Sequence, residues 1–296
     1  MATKELFSQF DDLLNICKDN VFKAVFARDS SDSRRALSRL VSAVIGRELE
    51  VVSIMANEPA PESVTDRLVR FDINCRAKDG EPIDVEMCLN PDKFEPVRLE
   101  FYAARLFVTQ DIHGSDKTYR DLKRTYQIAI LAEGTFFADG DFLHGFEHYD
   151  PVRNMSLGGR TRIFTLELSK LGEVVKKPAR EMSNPEFWAV FFRYHGDPGM
   201  RGKINEIAVL EEGIAMAGGV LLNISRDENQ RARLESEYKG QLDYQSKMVQ
   251  AKREGIEEGR REGEAIGEKK NSMEILSLIA KGYTAEDLKR EIEARR

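Results

Sequence analysis

Asp72, Asp84 and Glu86 lie on two short segments that alternate like the arms of a β-hairpin. Residues 68–76, LVRFDINCR, set Leu68, Phe71, Ile73 and Cys75 against Arg70, Asp72, Asn74 and Arg76 over most of their length. Residues 82–88, PIDVEMC, set Ile83, Val85 and Met87 against Asp84, Glu86 and Cys88. Between them, Lys78-Asp79-Gly80 fits a three-residue loop, a type I turn closed by a glycine in the left-handed region. With Ala77 opposite Glu81, paired residue numbers sum to 158, so Asp72 faces Glu86 and Asn74 faces Asp84 on the polar face. Facing side chains have Cβ atoms about 5 Å apart. Carboxylates that close repel one another, and a hard cation such as Mg²⁺ relieves the repulsion while keeping waters to deprotonate. Phosphodiester hydrolysis needs that combination. The competing reading is an ordinary hairpin whose carboxylates face solvent.

A second chemical stripe follows. Residues 97–108 read as a helix after Pro96, with Val97, Phe101, Ala104 and Val108 expected on its packed side. The other side presents Arg98, Tyr102 and Arg105 at i, i+4 and i+7. Arginine forks match phosphate geometry, so these three are candidate DNA-binding residues. The alternative is arginine stems packed over a half-buried tyrosine. Among His113, His144, His148 and His195, the 144/148 pair has the spacing of two zinc ligands on a helix. FLHGFEHY alternates like a strand and contains Gly145, so structural roles are expected instead; Glu167 is expected to be a hydrogen-bonding strand residue. Cys17, Cys75 and Cys88 lack metal or redox spacing, and no glycine-rich nucleotide cradle is present.

The elements that must position these groups are legible in the periodicity. Phe22 and Phe26, with Asp19 and Lys23 at the same spacing, mark a first helix. Leu37, Leu40, Val41, Val44 and Ile45 mark a second, capped within Ser31–Ser33 and ended by Gly46. Strands are expected at 126–132, 142–149 and 163–168, and Asn184-Pro185 opens a helix carrying Trp188, Phe191 and Phe192. The whole predicts an α/β (α+β mixed) domain followed by a helical region. With 41% hydrophobic and 32% charged residues and no apolar run of membrane length, the chain reads as cytoplasmic, with no membrane partner. Residues 1–170 carry 23 Lys and Arg against 28 Asp and Glu, so bulk charge does not favour nucleic acid, and DNA binding would need a local patch or a metal.

In order along the chain, DNVFKAVF at 19–26, the leucine-patterned second helix, RFDINCRAKDGEPIDVEMC at 70–88, RLEFYAARL at 98–106, YRDLKRTYQIAIL at 119–131 and FTLELSKL at 164–171 resemble the Rpn family of recombination-promoting nucleases and putative transposases. This family is a branch of the PD-(D/E)XK nucleases. The resemblance implies a central mixed sheet flanked by helices, DNA cleavage with Mg²⁺ (or Mn²⁺), and a link to recombination. It makes Asp72 and Glu86 the metal ligands, with Asp72, Glu86 and Cys88 at the catalytic positions. At the third position the superfamily has lysine and this family commonly glutamine; here stands Cys88, a weak donor. A metal-dependent DNA endonuclease is therefore set against a nuclease-fold protein that binds DNA or a partner without turnover.

After residue 200 the chain contains no proline and is rich in helix formers. Gly255, Gly259, Gly263 and Gly267 recur every fourth residue among Glu, Arg and Lys, each costing a helix about 1 kcal/mol relative to alanine. A close partner helix would offset that cost; a flexible charged linker is the other reading, and a scaffold acting through its tail a third class of function. Ser225 with Glu228 and Thr284 with Asp287 are expected as capping boxes. The expected organisation is a nuclease-like domain over 1–175, a helical extension over 176–238 and a tail over 239–296 with a terminal helix pair. Residues 240–270 are expected to self-associate, so truncation before Lys239 lowers the molar mass measured by light scattering; full-length protein that is already monomeric at tens of micromolar excludes this.

Overall fold

The computed structural model describes residues 5–55, 70–112 and 117–294. They fall into two compact units, Met1–Glu235 and Ser236–Arg296. The first is built on a six-stranded mixed sheet of order β1-β2-β3-β4-β8-β5. Its strands are β1 (Val51–Ile54), β2 (Ile73–Ala77), β3 (Pro82–Cys88), β4 (Thr125–Leu131), β5 (Leu143–Phe146) and β8 (Thr161–Glu167). β1, β2 and β3 are antiparallel neighbours, β3, β4 and β8 run parallel, and β5 returns antiparallel to β8. β6 (Tyr149–Asp150) and β7 (Met155–Ser156) form a separate ribbon, so the strand expected over 142–149 is two.

Every residue of β3 and β4 is buried, because helices cover both sheet faces. Ile83, Val85, Met87, Ile128, Ile130 and Leu166 join the main core. That core is completed by α1 (Asp19–Phe26), α2 (Ser31–Ile45), α4 (Asn184–Tyr194), α5 (Arg201–Leu210) and α6 (Glu212–Arg226). Phe22, Phe26, Trp188 and Phe192 interlock in it, with ring centroids 4.9–6.0 Å apart. The opposite face, carrying Asp84, Glu86 and Cys88, is covered by α3 (Glu95–Val108), whose Leu99 meets Cys88, Ala129 and Leu131.

That packing reverses the expected orientation of α3. Leu99, Ala103 and Leu106 are buried, whereas Val97 is 64% and Phe101 50% exposed. Both stripes have helical spacing, and the one turned inward is the one that brings the neighbouring Arg98 to Glu86 and Glu95. Caps also shift. Ser30, not Ser31–Ser33, accepts the Ser33 N–H at 3.2 Å, and Gly46 ends α2 at φ 80°. Ser183 with Glu186 caps α4. Asp227, not Ser225, caps α7 (Glu228–Ala280), accepting from Asn229 and Gln230, while the Ser225 hydroxyl donates back to Leu221 O inside α6. Part of the expected first hairpin arm, Leu68 included, and His113 lie outside the described residues.

In the second unit, no atom of the described residues beyond the helix's own nearby backbone stands within 4 Å of where a Cβ would sit at Gly255, Gly259, Gly263 and Gly267, and Leu242, Val249, Ile256 and Ile266 are exposed. The Thr284–Asp287 box opens α8 (Ala285–Ala294) through reciprocal bonds of 3.0 and 3.3 Å. No helix among the described residues is long and apolar enough to cross a membrane.

α2 and α4 approach α6 closely at Gly213. The Arg39 fork binds the buried Glu211 carboxylate through two 2.8 Å bonds and draws α2 onto α6. A Cβ at Gly213 would stand 2.5 Å from Arg39 Cβ and 2.9 Å from the Trp188 ring. Gly213→Ala is expected to destabilise the fold by about 1–3 kcal/mol, read as a lower midpoint in urea with unchanged slope.

Candidate active site

The hairpin has the expected register. Ile73 pairs with Val85, Asn74 with Asp84 and Cys75 with Ile83; Ala77 N–H donates to Glu81 O at 2.9 Å, and Gly80 closes the turn at φ 89°. Asp72 stands one residue ahead of β2, where the ladder gives way to side-chain bonds. Its N–H donates to Glu86 Oε1 at 2.9 Å, and the Met87 N–H donates to Asp72 Oδ2 at 3.0 Å. The two crossed bonds hold the carboxylates side by side and leave one oxygen of each turned toward a cation. Lys23 Nζ, from α1, lies 3.0 Å from Asp72 Oδ1 and 2.6 Å from Asp19 Oδ1. Arg98 Nη1, from α3, lies 3.4 Å from Glu86 Oε2.

This polar face is buried, not solvated: Asp84 is 0% and Glu86 2% exposed. Asp84 Oδ2 accepts from Gln127 Nε2 at 2.6 Å, while Oδ1 meets no donor among the described residues. Burial first, and then the Glu86 charge, push the Asp72 carboxyl up to about 8. Burial likewise raises Asp84 well above the usual carboxylate range, with Glu86 adding to it. Glu86 is raised too, by burial opposed by Arg98. At Lys23, burial works against the ammonium, but Asp72 and Asp19 outweigh it and the amine is raised.

Cys88 is buried at the end of β3. Its thiol is 3.3 Å from Glu95 Oε1 and 3.2 Å from Arg98 Nη2; burial, then the Glu95 charge, raise it well above its ordinary value. Tyr102 is half-buried, with Arg98 Cζ 5.1 Å from its ring centroid and Phe71 edge-on at 5.6 Å. Arg105 is half-buried one turn further along α3. Apart from this set, the fully buried Glu167 accepts the Phe136 N–H at 2.5 Å and pairs with Lys170 at 2.5 Å, and His144 bonds Asp139 at 2.9 Å; both groups tie the 133–142 loop to the sheet.

Asp19, Asp72, Glu86 and Glu95 thus contact two cations, Lys23 and Arg98, and Asp84 is buried on the same face of β3 as Glu86. Among the described residues no three His, Cys, Asp or Glu side chains form a ready-made ligand set, and Mg²⁺ is commonly held by one or two carboxylates plus waters. A family model for PD-(D/E)XK nuclease family transposases matches residues 16–251.

The chain belongs to this family.

No curated protein and no solved structure matches it. The family match spans every residue of the site, from Asp19 on α1 to Tyr102 on α3 and Gln127 on β4. Periodicity and spacing single out Asp72, Asp84, Glu86 and the Arg98 stripe. Lys23 and Gln127 escape as site residues: the i, i+4 pairing of Asp19 with Lys23 is the only local sign of the first, and Gln127 sits unmarked in an apolar strand.

The buried carboxyls give the fold a sign-definite pH dependence. Between about pH 4 and pH 8 folded Asp72 holds a proton that the unfolded chain has released, so stability falls as pH rises through that window. His195, kept neutral by burial with its value lowered to about 4, opposes this only below about 6.5. From Asp72 alone, metal-free protein is therefore expected to lose up to roughly 1.4 kcal/mol per pH unit between pH 6.5 and 8, and the raised Asp84 and Glu86 act in the same direction. Asp72→Asn flattens the slope in thermal melts; a Tm that rises over this range contradicts the assignment.

Proposed function

We propose that the chain is a metal-dependent DNA endonuclease associated with recombination or transposition, with Asp72 and Glu86 holding Mg²⁺ or Mn²⁺. The observation that carries this reading is the crossed pair of backbone bonds, Asp72 N–H to Glu86 and Met87 N–H to Asp72, which keeps the partly buried Asp72 and the buried Glu86 carboxylates adjacent with one oxygen of each turned away from the backbone. Family membership supplies the reaction class. A bound divalent ion lowers the pKa of a coordinated water and neutralises charge on the phosphate. The chain's own part is to gather the carboxylates, exclude bulk water from the Asp84–Glu86 face and balance charge through Lys23. Tyr102 and Arg105, with Arg98, lie on the helix beside the carboxylates and are the phosphate-side residues of this reading. The net reaction adds one water across one P–O bond: the water oxygen joins phosphorus and the sugar oxygen leaves carrying a proton.

One observation favours a second reading. Position 88 offers a buried thiol held in its protonated form, which neither accepts a proton nor carries positive charge. A protein with this site that binds DNA without cutting it is the alternative.

Plasmid nicking separates the two. The expected result is slow, Mg²⁺- or Mn²⁺-dependent nicking, abolished by EDTA and by Asp72→Ala, about 10²–10⁴-fold slower than an enzyme with a full acid–base complement. DNA binding without nicking favours the second reading. Nicking that survives Asp72→Ala places the active site elsewhere.

A further inference from the structure

Between α3 and the β8–β5 end of the same sheet face lies a cavity of about 550 Å³, within the size range of small-molecule sites. Leu131 of β4 and Ile163 of β8 give it an apolar floor. Phe107 of α3, Phe136 and Phe137 of the 133–142 loop and Phe146 of β5 supply aromatic walls. These walls are held in place. Phe137 packs 5.1 Å from Phe146 and 4.6 Å from His144 between ring centroids. The loop that carries it is tied down by the Phe136 N–H to Glu167 bond and by the His144–Asp139 bond.

The charges around the cavity have one sign. Glu100 on α3 and Glu147 just after β5 line it and are exposed, and among the described residues no lysine or arginine lines it. Glu147 shares its charge with Arg162 at 2.7 Å, whereas Glu100 forms no ion pair among the described residues. Thr165, 2% exposed, also lines the cavity, and its hydroxyl meets no hydrogen-bond partner among the described residues. A buried polar group left in this way calls for a polar atom from outside the chain. Aromatic faces attract an organic cation, carboxylates add to that attraction, and both oppose an anion such as phosphate.

We propose that this cavity binds an amphipathic organic amine, with its apolar body against Phe107, Phe137 and Phe146 and its ammonium against Glu100 and Glu147. The buried Glu95 also lines the cavity but is already held by Arg98, so charge recognition falls to the two exposed carboxylates. The Thr165 hydroxyl offers a partner to a polar atom on the ligand's body. This binding function is separate from metal-dependent cleavage and stands or falls without it.

The test is calorimetric titration of the full-length protein at pH 7 with three compounds that share one apolar body: phenylbutylamine, phenylbutanol and phenylbutyrate. The amine is expected to bind saturably and about 5–10-fold more tightly than the alcohol, with the carboxylate weaker still. Glu100→Gln is expected to remove several-fold of the amine's affinity and leave the alcohol's unchanged. Ala104→Trp, at an exposed α3 position that lines the cavity, fills it and is expected to abolish binding of all three. Equal affinity for the three compounds marks an apolar groove without charge recognition, suited to a helix of a protein partner or of a second copy, and overturns the proposal. Amine binding that survives Ala104→Trp puts the site elsewhere and overturns it too, as does the absence of saturable amine binding. Should Ala104→Trp not fold, Glu100→Gln decides alone: amine affinity equal to wild type overturns the assignment.

Discussion

Burying several carboxyl groups on one face of a sheet is costly unless each finds a proton, a backbone donor or a cation. The organisation of the first unit follows from that constraint. Asp84 resolves it with a bond from Gln127 and a carboxyl that burial raises well above the usual carboxylate range. Asp72 and Glu86 resolve half of it with each other's neighbouring backbone N–H groups. What remains is one oxygen on each, and two helices from opposite sides of the sheet supply the compensating charge: α1 through Lys23, α3 through Arg98. The hairpin, the crossover to β4 and both helices are therefore tied to a single electrostatic problem.

This accounts for features that would otherwise look unrelated. α3 turns Leu99, Ala103 and Leu106 to the sheet and leaves Val97 and Phe101 in solvent, because only this rotation brings Arg98 and Glu95 against β3. Burying Glu95 is tolerable because it takes two contacts from the arginine one turn later. The sheet's other face carries no such polar demand, and there the chain packs aromatic rings of α1 and α4 with the freedom that non-directional apolar contacts allow.

The tail obeys different physics. Within α7 only Leu234 is buried. Arg260 bonds Glu257 and Glu264 along the helix at 2.8 and 2.6 Å, and such exposed i, i+3 and i, i+4 pairs each contribute only a few tenths of a kcal/mol. They offset little of what five glycines cost the helix.

The sequence by itself determined whatever depends on near neighbours. The hairpin register follows from a period of two and a Lys-Asp-Gly turn, so the pairing of Asn74 with Asp84 is legible in the order of the residues alone. The core helices follow from a period of 3.6, and the family pieces locate Asp72 and Glu86. Caps slip by a residue or two because Ser30, Ser183 and Asp227 compete with equally polar neighbours, and the winner is whichever hydroxyl or carboxylate the chain's entry angle brings to the free N–H groups. Only tertiary structure decided that the polar face is buried, since alternation looks the same with either side toward water. It alone chose between two apolar stripes of α3, brought Lys23 across 49 residues to Asp72, and set Arg98 beside Cys88. Those outcomes rest on charge neutralisation between elements distant in the chain, and no local spacing encodes a partner that arrives from another helix.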